Sequence, residues 1–256
     1  MATVASIVQA LAERTRPQDA APWDPVGLQL GNPADQVTRV GVCHEVTESV
    51  VQAIERDPVD LLVTYHPLLF HPVTRLVAGR SPTARAFRLI RAGTALLVTH
   101  TDFDAAPGGT ADALAVRLRL RDIEPFGADD LEGIPPIGRL GVFGESLESL
   151  RTRVAETLGS KGLRVSGDRD RILERVVVVP GSGGDFLEKA GPMADAIVTG
   201  DVSHHRAVAA LDLDLAVVDP GHIATERPGM TALVALVADV VPEMLDLTDF
   251  DPETWV

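Results

Sequence analysis

The amino-acid sequence predicts an α/β protein made of two similar halves. Short apolar runs such as 176–179 are continuous and rich in Val, Leu and Ile, which is typical of strands buried on both faces. Helix-like stretches alternate with these runs, and such alternation indicates an α/β fold. The last run of each half leads into a histidine followed four residues later by a carboxylate: His100 with Asp104, and His222 with Glu226. The chain is long enough for one large α/β domain or for two packed lobes.

The predicted elements follow the same order in both halves. In the first half they are a helix from Ala5 to Arg14, a strand from Val40 to Cys43, a helix from Glu48 to Glu55, and strands from Leu61 to Thr64 and Ala95 to Val98. In the second half they are a helix from Leu147 to Leu158, a strand from Val176 to Val179, a helix from Phe186 to Ala190, and strands from Ala196 to Thr199 and Leu215 to Val218. Residue identity between the halves is low, so this is a repeat of pattern. Chance agreement is the competing explanation, because βαβα alternation is common, but it explains the matching His-x-x-x-carboxylate patterns poorly.

Composition narrows the class of protein. The net charge of −14 argues against a nucleic-acid surface, which needs a basic footprint. No apolar stretch reaches the roughly 20 residues of a membrane span, and the N-terminal residues lack the basic region of a secretory signal. A single cysteine, Cys43, excludes an intramolecular disulfide. We therefore expect a cytoplasmic protein that binds neither membrane nor nucleic acid.

Polar residues gather directly after four of the apolar runs. They occupy 64–66, 99–104, 199–201 and 219–226. Ligands of open α/β sheets bind outside the carboxyl ends of the strands, so four such ends bearing His, Asp and Glu indicate a binding site. Simpler interpretations exist for single members. Residues His44, His71 and His204 are typical loop histidines, and Asp104 and Asp201 suit helix N-caps.

Taken together, His66, His100, Asp104, His222 and Glu226 favour metal binding. Histidine and carboxylate ligands suit Zn, Fe or Mn, and a carboxylate can bridge two cations. Two cations about 3.5–4 Å apart would convert a water into a hydroxide nucleophile, which is hydrolytic chemistry.

Six blocks of the chain resemble, in order, the signatures of the Nif-three-like family of dinuclear-metal proteins, known as GTP cyclohydrolase I type 2 homologs. Trp23 to Gly31 resembles the family's "WDNVGL", Tyr65 to Phe70 its "HHPLIF", His100 to Asp104 its "HTNLD", Ile137 to Gly141 its "GIGRLG", Thr199 to His205 its "TGE…H", and Gly221 to Glu226 its "GHYATE". The resemblance covers nearly the whole chain.

This resemblance implies two similar α/β lobes with mixed sheets and a metal site between them. We expect the first lobe at 1–124 and the second at 125–256, intertwined and without an insertion domain. The connection from Glu124 to Pro136 is a short linker rich in Pro, Gly and Asp. The resemblance also implies a homo-oligomer, expected to be a hexamer.

The resemblance places the ligands of two divalent ions per chain (Zn, Fe or Mn) on His66, His100, Asp104, His222 and Glu226. Asp104 and Glu226 are then the candidate bridging ligands. Tyr65 departs from the pattern, because the family has a histidine there, and a phenol with a pKa of about 10 is a poor ligand. Tyr65 is expected to act as a weak ligand or as a proton donor. Alternatively, its ring packs beside Phe70 without meeting the metals.

The resulting hypothesis is a metal-dependent hydrolase of the GTP cyclohydrolase I type 2 kind. Its small-molecule substrate would be a nucleotide or another phosphorylated or heterocyclic compound. Asp201 and His205 are candidate catalytic groups that would transfer protons or support the ligands. The alternative is a non-enzymatic metal-binding protein or a regulatory interaction protein.

Overall fold

The alternation of strands and helices continues throughout the described residues, 2–127, 133, 135–160, 162–241 and 243–250, of this computed structural model. Up to residue 106 the elements are β1 (Ala2–Thr3), α1 (Val4–Thr15), β2 (Gly27–Leu30), β3 (Gln36–Val37), β4 (Val40–Cys43), α2 (Glu48–Arg56), β5 (Leu61–Thr64), α3 (Pro82–Ala92), β6 (Ala95–Val98) and α4 (Thr101–Ala105). They continue with α5 (Thr110–Arg117), β7 (Arg121–Phe126), β8 (Gly138–Ser146), α6 (Leu147–Leu158), β9 (Arg164–Ser166), β10 (Ile172–Ser182), α7 (Leu187–Ala190), β11 (Ala196–Gly200), α8 (His204–Asp212), β12 (Ala216–Asp219), α9 (His222–Ala238) and β13 (Met244–Asp246). Short 3-10 turns lie at Pro17–Asp19, Gly184–Phe186 and Thr248–Phe250.

The first of two compact units consists of the described chain up to Ala106 together with the part from Met230 onward. Its main sheet has the strand order β13-β4-β5-β6-β2. The first four strands are parallel, and β2 runs antiparallel to β6. The sheet is therefore mixed, and the predicted fold class is confirmed for this unit.

Both faces of this sheet are buried, as the continuous apolar runs predict. On one face, Leu61 and Val63 join a core that includes Ile7 of α1 and Leu233 of α9. On the other face, Leu62 joins the side chains that α2 and α3 bury. Successive residues of a strand point to opposite faces, so a strand covered on both sides is apolar throughout.

The second unit comprises Pro107–Gly229. Its sheet has the order β7-β8-β10-β11-β12-β9, in which β10, β11 and β12 are parallel and the remaining strands antiparallel. One face packs on α5 and α6, and the other on α7 and α8. The second unit thus repeats the plan of the first, a mixed sheet with helices on both faces.

The division of the chain differs from the one expected at 124/125. Residues 107–124 belong to the second unit, because Leu114 of α5 packs into its core and β7 pairs with β8. The chain from Met230 belongs to the first unit, because Met230 and Leu233 enter its core and β13 pairs with β4. The expected linker from Glu124 begins inside β7, and its residues 128–132 and 134 lie outside the described part of the chain.

Local sequence signals explain several helix boundaries. The side-chain oxygens of Thr47, Ser81 and Ser146 accept backbone N–H groups at the starts of α2, α3 and α6, as N-cap residues do. Helix α6 ends at Gly159, which takes a left-handed conformation. Within the described residues, no helix has the length and apolar character of a membrane span.

Candidate metal centre

Three histidines follow neighbouring parallel strands of the first unit. His44 comes after β4, His66 after β5 and His100 after β6. The ring centroids lie 4.8 Å apart for His44 and His66, and 5.2 Å apart for His66 and His100. The carboxyl ends of adjacent parallel strands meet at one edge of the sheet, and this brings the three imidazoles together.

The interpretation of His44 as an ordinary loop residue is corrected by its position. Its side chain is buried, and its backbone carbonyl accepts the N–H of His66 at 2.9 Å. His44 and His66 each offer a ring nitrogen to a group that could hold a metal ion, and these nitrogens lie within 4.8 Å of each other. No motif surrounds His44, so only the pairing of β4 with β5 could have revealed it. His71, by contrast, lies exposed in the following loop.

His100 and Asp104 share one helical turn, as their spacing predicts. The Asp104 N–H donates to the carbonyl of His100 at 3.0 Å. Asp104 is therefore not an N-cap residue. It lies within α4, and its side chain is buried.

A carboxylate from a preceding loop holds the ring of His100. Asp24 Oδ2 lies 3.0 Å from His100 Nδ1, and it also accepts the N–H of Thr101 at 3.0 Å and its hydroxyl at 2.6 Å. Burial acts to raise the pKa of Asp24, but the hydrogen bonds from His100 and Thr101 together leave this pKa below its usual value. With Nδ1 on a carboxylate, Nε2 is the nitrogen that would ligate a metal. Asp24 lies in the block that resembles the family's "WDNVGL", but the resemblance assigns it no role.

Tyr65 is buried and reaches the expected bridging carboxylate. Its hydroxyl donates to Asp104 Oδ1 at 2.5 Å, and its ring lies 4.9 Å from His66 and 5.3 Å from His100 between centroids. The ring also belongs to the hydrophobic core that β5 shares with α1. The phenol therefore has the position needed to orient Asp104.

The second unit contains a matching arrangement at the ends of β11 and β12. His222 Nδ1 lies 2.8 Å from Asp201 Oδ2, and His222 Nε2 lies 3.1 Å from Glu226 Oε1. Two ligands about 2.05 Å from one tetrahedral ion would be about 3.3 Å apart, so the spacing of Nε2 and Oε1 suits two donors to one cation. The His-x-x-x-Glu spacing again places both residues on one helical turn, here at the start of α9.

Asp219, a buried residue at the end of β12, fixes the loops that carry this arrangement. Its Oδ2 accepts the Val202 N–H at 3.0 Å, and its Oδ1 accepts the Gly221 N–H at 2.9 Å. These bonds fix the backbone beside Asp201 and beside His222. Asp201 is not the N-cap of α8, since Ser203 fills that role.

Electrostatics make His222 a cation when no metal is bound. Burial acts to lower its pKa, but hydrogen bonds and charge from Glu226, followed by those from Asp201, raise this pKa to about 9. A metal would replace that proton between Nε2 and the carboxylate.

Gly181 on β10 keeps space open beside the two donor atoms. A Cβ at this position would lie 2.7 Å from Glu226 Oε1 and 3.2 Å from His222 Nε2. Any larger residue would therefore press on both donors.

Comparison with known proteins identifies the family of this chain. The sequence model of the family described as Duf34/NIF3 (NGG1p interacting factor 3) matches residues 2–250. The chain belongs to the DUF34/NIF3 family. Two relatives named GTP cyclohydrolase 1 type 2 homolog are each 34% identical to it. The one from Lactococcus lactis aligns over 86% of this chain and 84% of its own, and the one from Streptomyces coelicolor over 89% and 83%.

Solved structures share the fold of this DUF34/NIF3 protein. Staphylococcus aureus protein SA1388 superposes with a TM-score of 0.88 at 20% identity, covering 100% of this chain and 99% of that one. Reduced HcgD from Methanocaldococcus jannaschii superposes with a TM-score of 0.84 at 26% identity, covering 96% of this chain and 98% of that one. The family resemblance and the fold class expected from the sequence are both confirmed.

The donor chemistry of this DUF34/NIF3 chain fits a transition-metal ion. Imidazole nitrogens and carboxylate oxygens suit Zn, Fe or Mn, and two of the histidines are held by carboxylates in the way metal-ligating histidines are. The group that includes His44 and His66 could therefore hold a metal ion. His205 lies on the exposed first turn of α8, with its ring centroid 5.6 Å from that of His204. Its proposed catalytic role stays a prediction.

Proposed function

We propose that the protein is a metal-dependent hydrolase that uses two divalent ions. The ligands are His66, His100, Asp104, His222 and Glu226, with Asp104 and Glu226 as bridges, and His44 is added as a further candidate. The observation that carries the proposal is the pairing of His100 with Asp24 and of His222 with Asp201. Each pair holds Nδ1 on a carboxylate, which supports Nε2 as the metal-binding nitrogen, as is usual for a ligating histidine.

The bound ions would supply a hydroxide nucleophile and a positive charge for the anionic intermediate. The chain's own groups orient the ligands and move protons. Tyr65 directs its O–H to Asp104, so it holds that carboxylate in one orientation. Asp201 is half-exposed beside His222, where it can accept a proton from solvent or from substrate. His205 on the next helix would pass protons to solvent.

The substrate is proposed to be a nucleotide or another small phosphorylated or heterocyclic compound. The names of the relatives, GTP cyclohydrolase 1 type 2 homolog, support this class. The net charge of −14 would repel an anionic substrate from the bulk surface, but bound cations reverse the local field.

We further propose a cytoplasmic homohexamer, as the family resemblance implies. Light scattering of the purified protein at micromolar concentration measures the mass directly. A mass near that of one chain, 27.2 kDa, would rule out the hexamer.

A hydrolase screen tests the proposed activity. The metal-loaded protein is incubated with nucleotides, phosphate esters and cyclic amides, alongside Glu226→Gln and the exposed control His71→Ala. Turnover by the parent and by His71→Ala, with loss in Glu226→Gln, supports the proposal. Full metal content without turnover of any compound would contradict it and favour a metal-binding or regulatory protein.

A further inference from the structure

Two large aromatic side chains of the first unit are exposed next to each other. Trp23 is 52% exposed and Phe70 is 43% exposed. Their ring centroids lie 6.0 Å apart, and the ring planes are tilted by 38°. Large aromatic side chains usually bury most of their surface. A pair of them exposed to solvent therefore indicates a surface that binds a ligand.

The pair lies beside the candidate metal centre. The Trp23 ring centroid is 6.4 Å from that of His100, in an edge-to-face arrangement. Trp23 also directly precedes Asp24, the carboxylate that holds His100. A ligand group stacked on Trp23 would therefore lie near the imidazole of His100.

The two loops that carry the rings are tied together by one amide side chain. Gln29 Nε2 donates to the carbonyl of Leu69 at 3.0 Å and to that of Pro25 at 3.1 Å. Gln29 Oε1 accepts the N–H of Leu69 at 3.0 Å. Pro25 lies two residues after Trp23, and Leu69 directly precedes Phe70. These hydrogen bonds therefore hold in place the backbone segments that carry Trp23 and Phe70.

We propose that Trp23 and Phe70 form a stacking platform for the planar heterocyclic ring of the substrate. The inference rests on the proposed function and narrows its substrate class to compounds with an aromatic or conjugated ring. A flat ring offers a π-face to indole and phenyl groups, whereas a sugar phosphate or an aliphatic amide does not. The reacting part of the ligand would then extend past the edge of Trp23 toward His100.

Tryptophan fluorescence measures this contact without any need for turnover. The chain has two tryptophans, and Trp255→Phe leaves Trp23 as the single emitter. The metal-loaded protein is titrated with purine and pyrimidine nucleoside triphosphates, a pteridine phosphate and a pyridine mononucleotide. Inorganic triphosphate and ribose 5-phosphate are the controls, since neither has an aromatic ring.

At least one probe with an aromatic ring should quench Trp23 and bind more tightly than the controls without one. Trp23→Leu keeps an apolar side chain without a π-face, and it should weaken that probe by about tenfold or more. Trp23→Phe keeps a ring and should stay within about threefold of the parent. Binding of inorganic triphosphate should be the same in all three proteins. Binding by Trp23→Leu and by Trp23→Phe is read by calorimetry, since both variants have lost the tryptophan that reports binding.

Phe70→Ala should also weaken binding of the aromatic probe. The matched control is Phe250→Ala, which removes a ring of similar exposure, 37%, on the turn Thr248–Phe250 and should leave that binding unchanged. The proposal is overturned if no aromatic probe binds better than inorganic triphosphate, or if Trp23→Leu and Trp23→Phe weaken it equally. It is also overturned if Trp23→Leu changes only the oligomeric mass, since the rings would then serve a protein interface. Metal content, measured in every variant, separates failure of the platform from failure of the metal centre.

Discussion

The two histidine–carboxylate pairs use the same bond in different surroundings. Asp24 has a fully buried side chain, and one of its oxygens receives three donors from His100 and Thr101. Asp201 is 48% exposed, and its partner His222 is also bonded to Glu226. The first pair is therefore rigid before any metal binds, whereas the second is a cationic imidazole between two carboxylates that must lose a proton. The first unit thus holds His100 in a fixed orientation, whereas the second holds His222 as a cation.

Replacing the two supporting carboxylates tests this difference most strongly. Asp24→Asn should weaken metal binding by about 100-fold, because a neutral amide oxygen is a weaker acceptor than a carboxylate for His100 and Thr101. The amide N–H groups would also be buried where Oδ1 has no hydrogen-bond partner among the described residues. Asp201→Asn should cost less than about tenfold, because solvent can replace the lost contact. Calorimetric titration of Zn or Mn into the metal-free proteins gives both values. Equal losses would remove the distinction between the pairs.

The space beside Glu226 and His222 offers a second test with a matched control. Gly181→Ala should weaken metal binding by about tenfold, because the added methyl group presses on both donor atoms. Gly159→Ala has the same φ of 64° in the second unit, with nothing within 4 Å of the added Cβ, so it carries the backbone strain without the clash. A similar loss in both variants would attribute the effect to strain alone.

Asp102 shows how the burial of a carboxylate in the first unit affects the free energy of unfolding. Its Oδ1 accepts the His100 N–H at 2.6 Å, and burial raises the pKa of this carboxyl to about 6. The native state then binds more protons than the unfolded state between about pH 4 and 6, so this group's contribution to stability falls as pH rises through that window.

Asp102→Asn keeps the acceptor and removes the charge. The free energy of unfolding should therefore rise on the order of 2 kcal/mol above pH 7 and change little below pH 4. Urea denaturation at pH 4 and pH 8 measures the difference. A variant destabilised equally at both values would contradict the burial argument.

Tyr65 gives the smallest expected change. Tyr65→His should raise affinity for the second metal by a few-fold, since it supplies a nitrogen donor in place of the phenol that donates to Asp104. Tyr65→Phe should cost about 1 kcal/mol of stability by removing that hydrogen bond. Metal titrations that superpose for all three proteins would leave Tyr65 a packing residue.

Much of the fold could be predicted because local patterns determine it. The run Leu61–Thr64 is apolar up to Val63 and ends at the polar Thr64, and the observed strand has those bounds. The boundaries of the units could not be predicted in this way. They depend on which core receives the apolar face of α9 and on the pairing of the short strand Met244–Asp246, and neither leaves a local signal.

The site shows the same division between local and long-range information. The pairs His100–Asp104 and His222–Glu226 were predicted, because a spacing of four matches the helical period. Asp24 and His44 were missed as site residues, because each meets its histidine partner only through the folded chain. Asp24 lies 76 residues from His100, and His44 reaches His66 through the register of β4 with β5.

The stoichiometry of bound metal tests the central claim most directly. Elemental analysis of the purified protein should find close to two transition-metal ions per chain, or one tight and one weak ion if Tyr65 leaves the second with too few donors. His100→Ala and Glu226→Gln should each lower the content, while His71→Ala should match the parent. Absence of metal, together with no rise in thermal stability on adding Zn or Mn, would contradict the account.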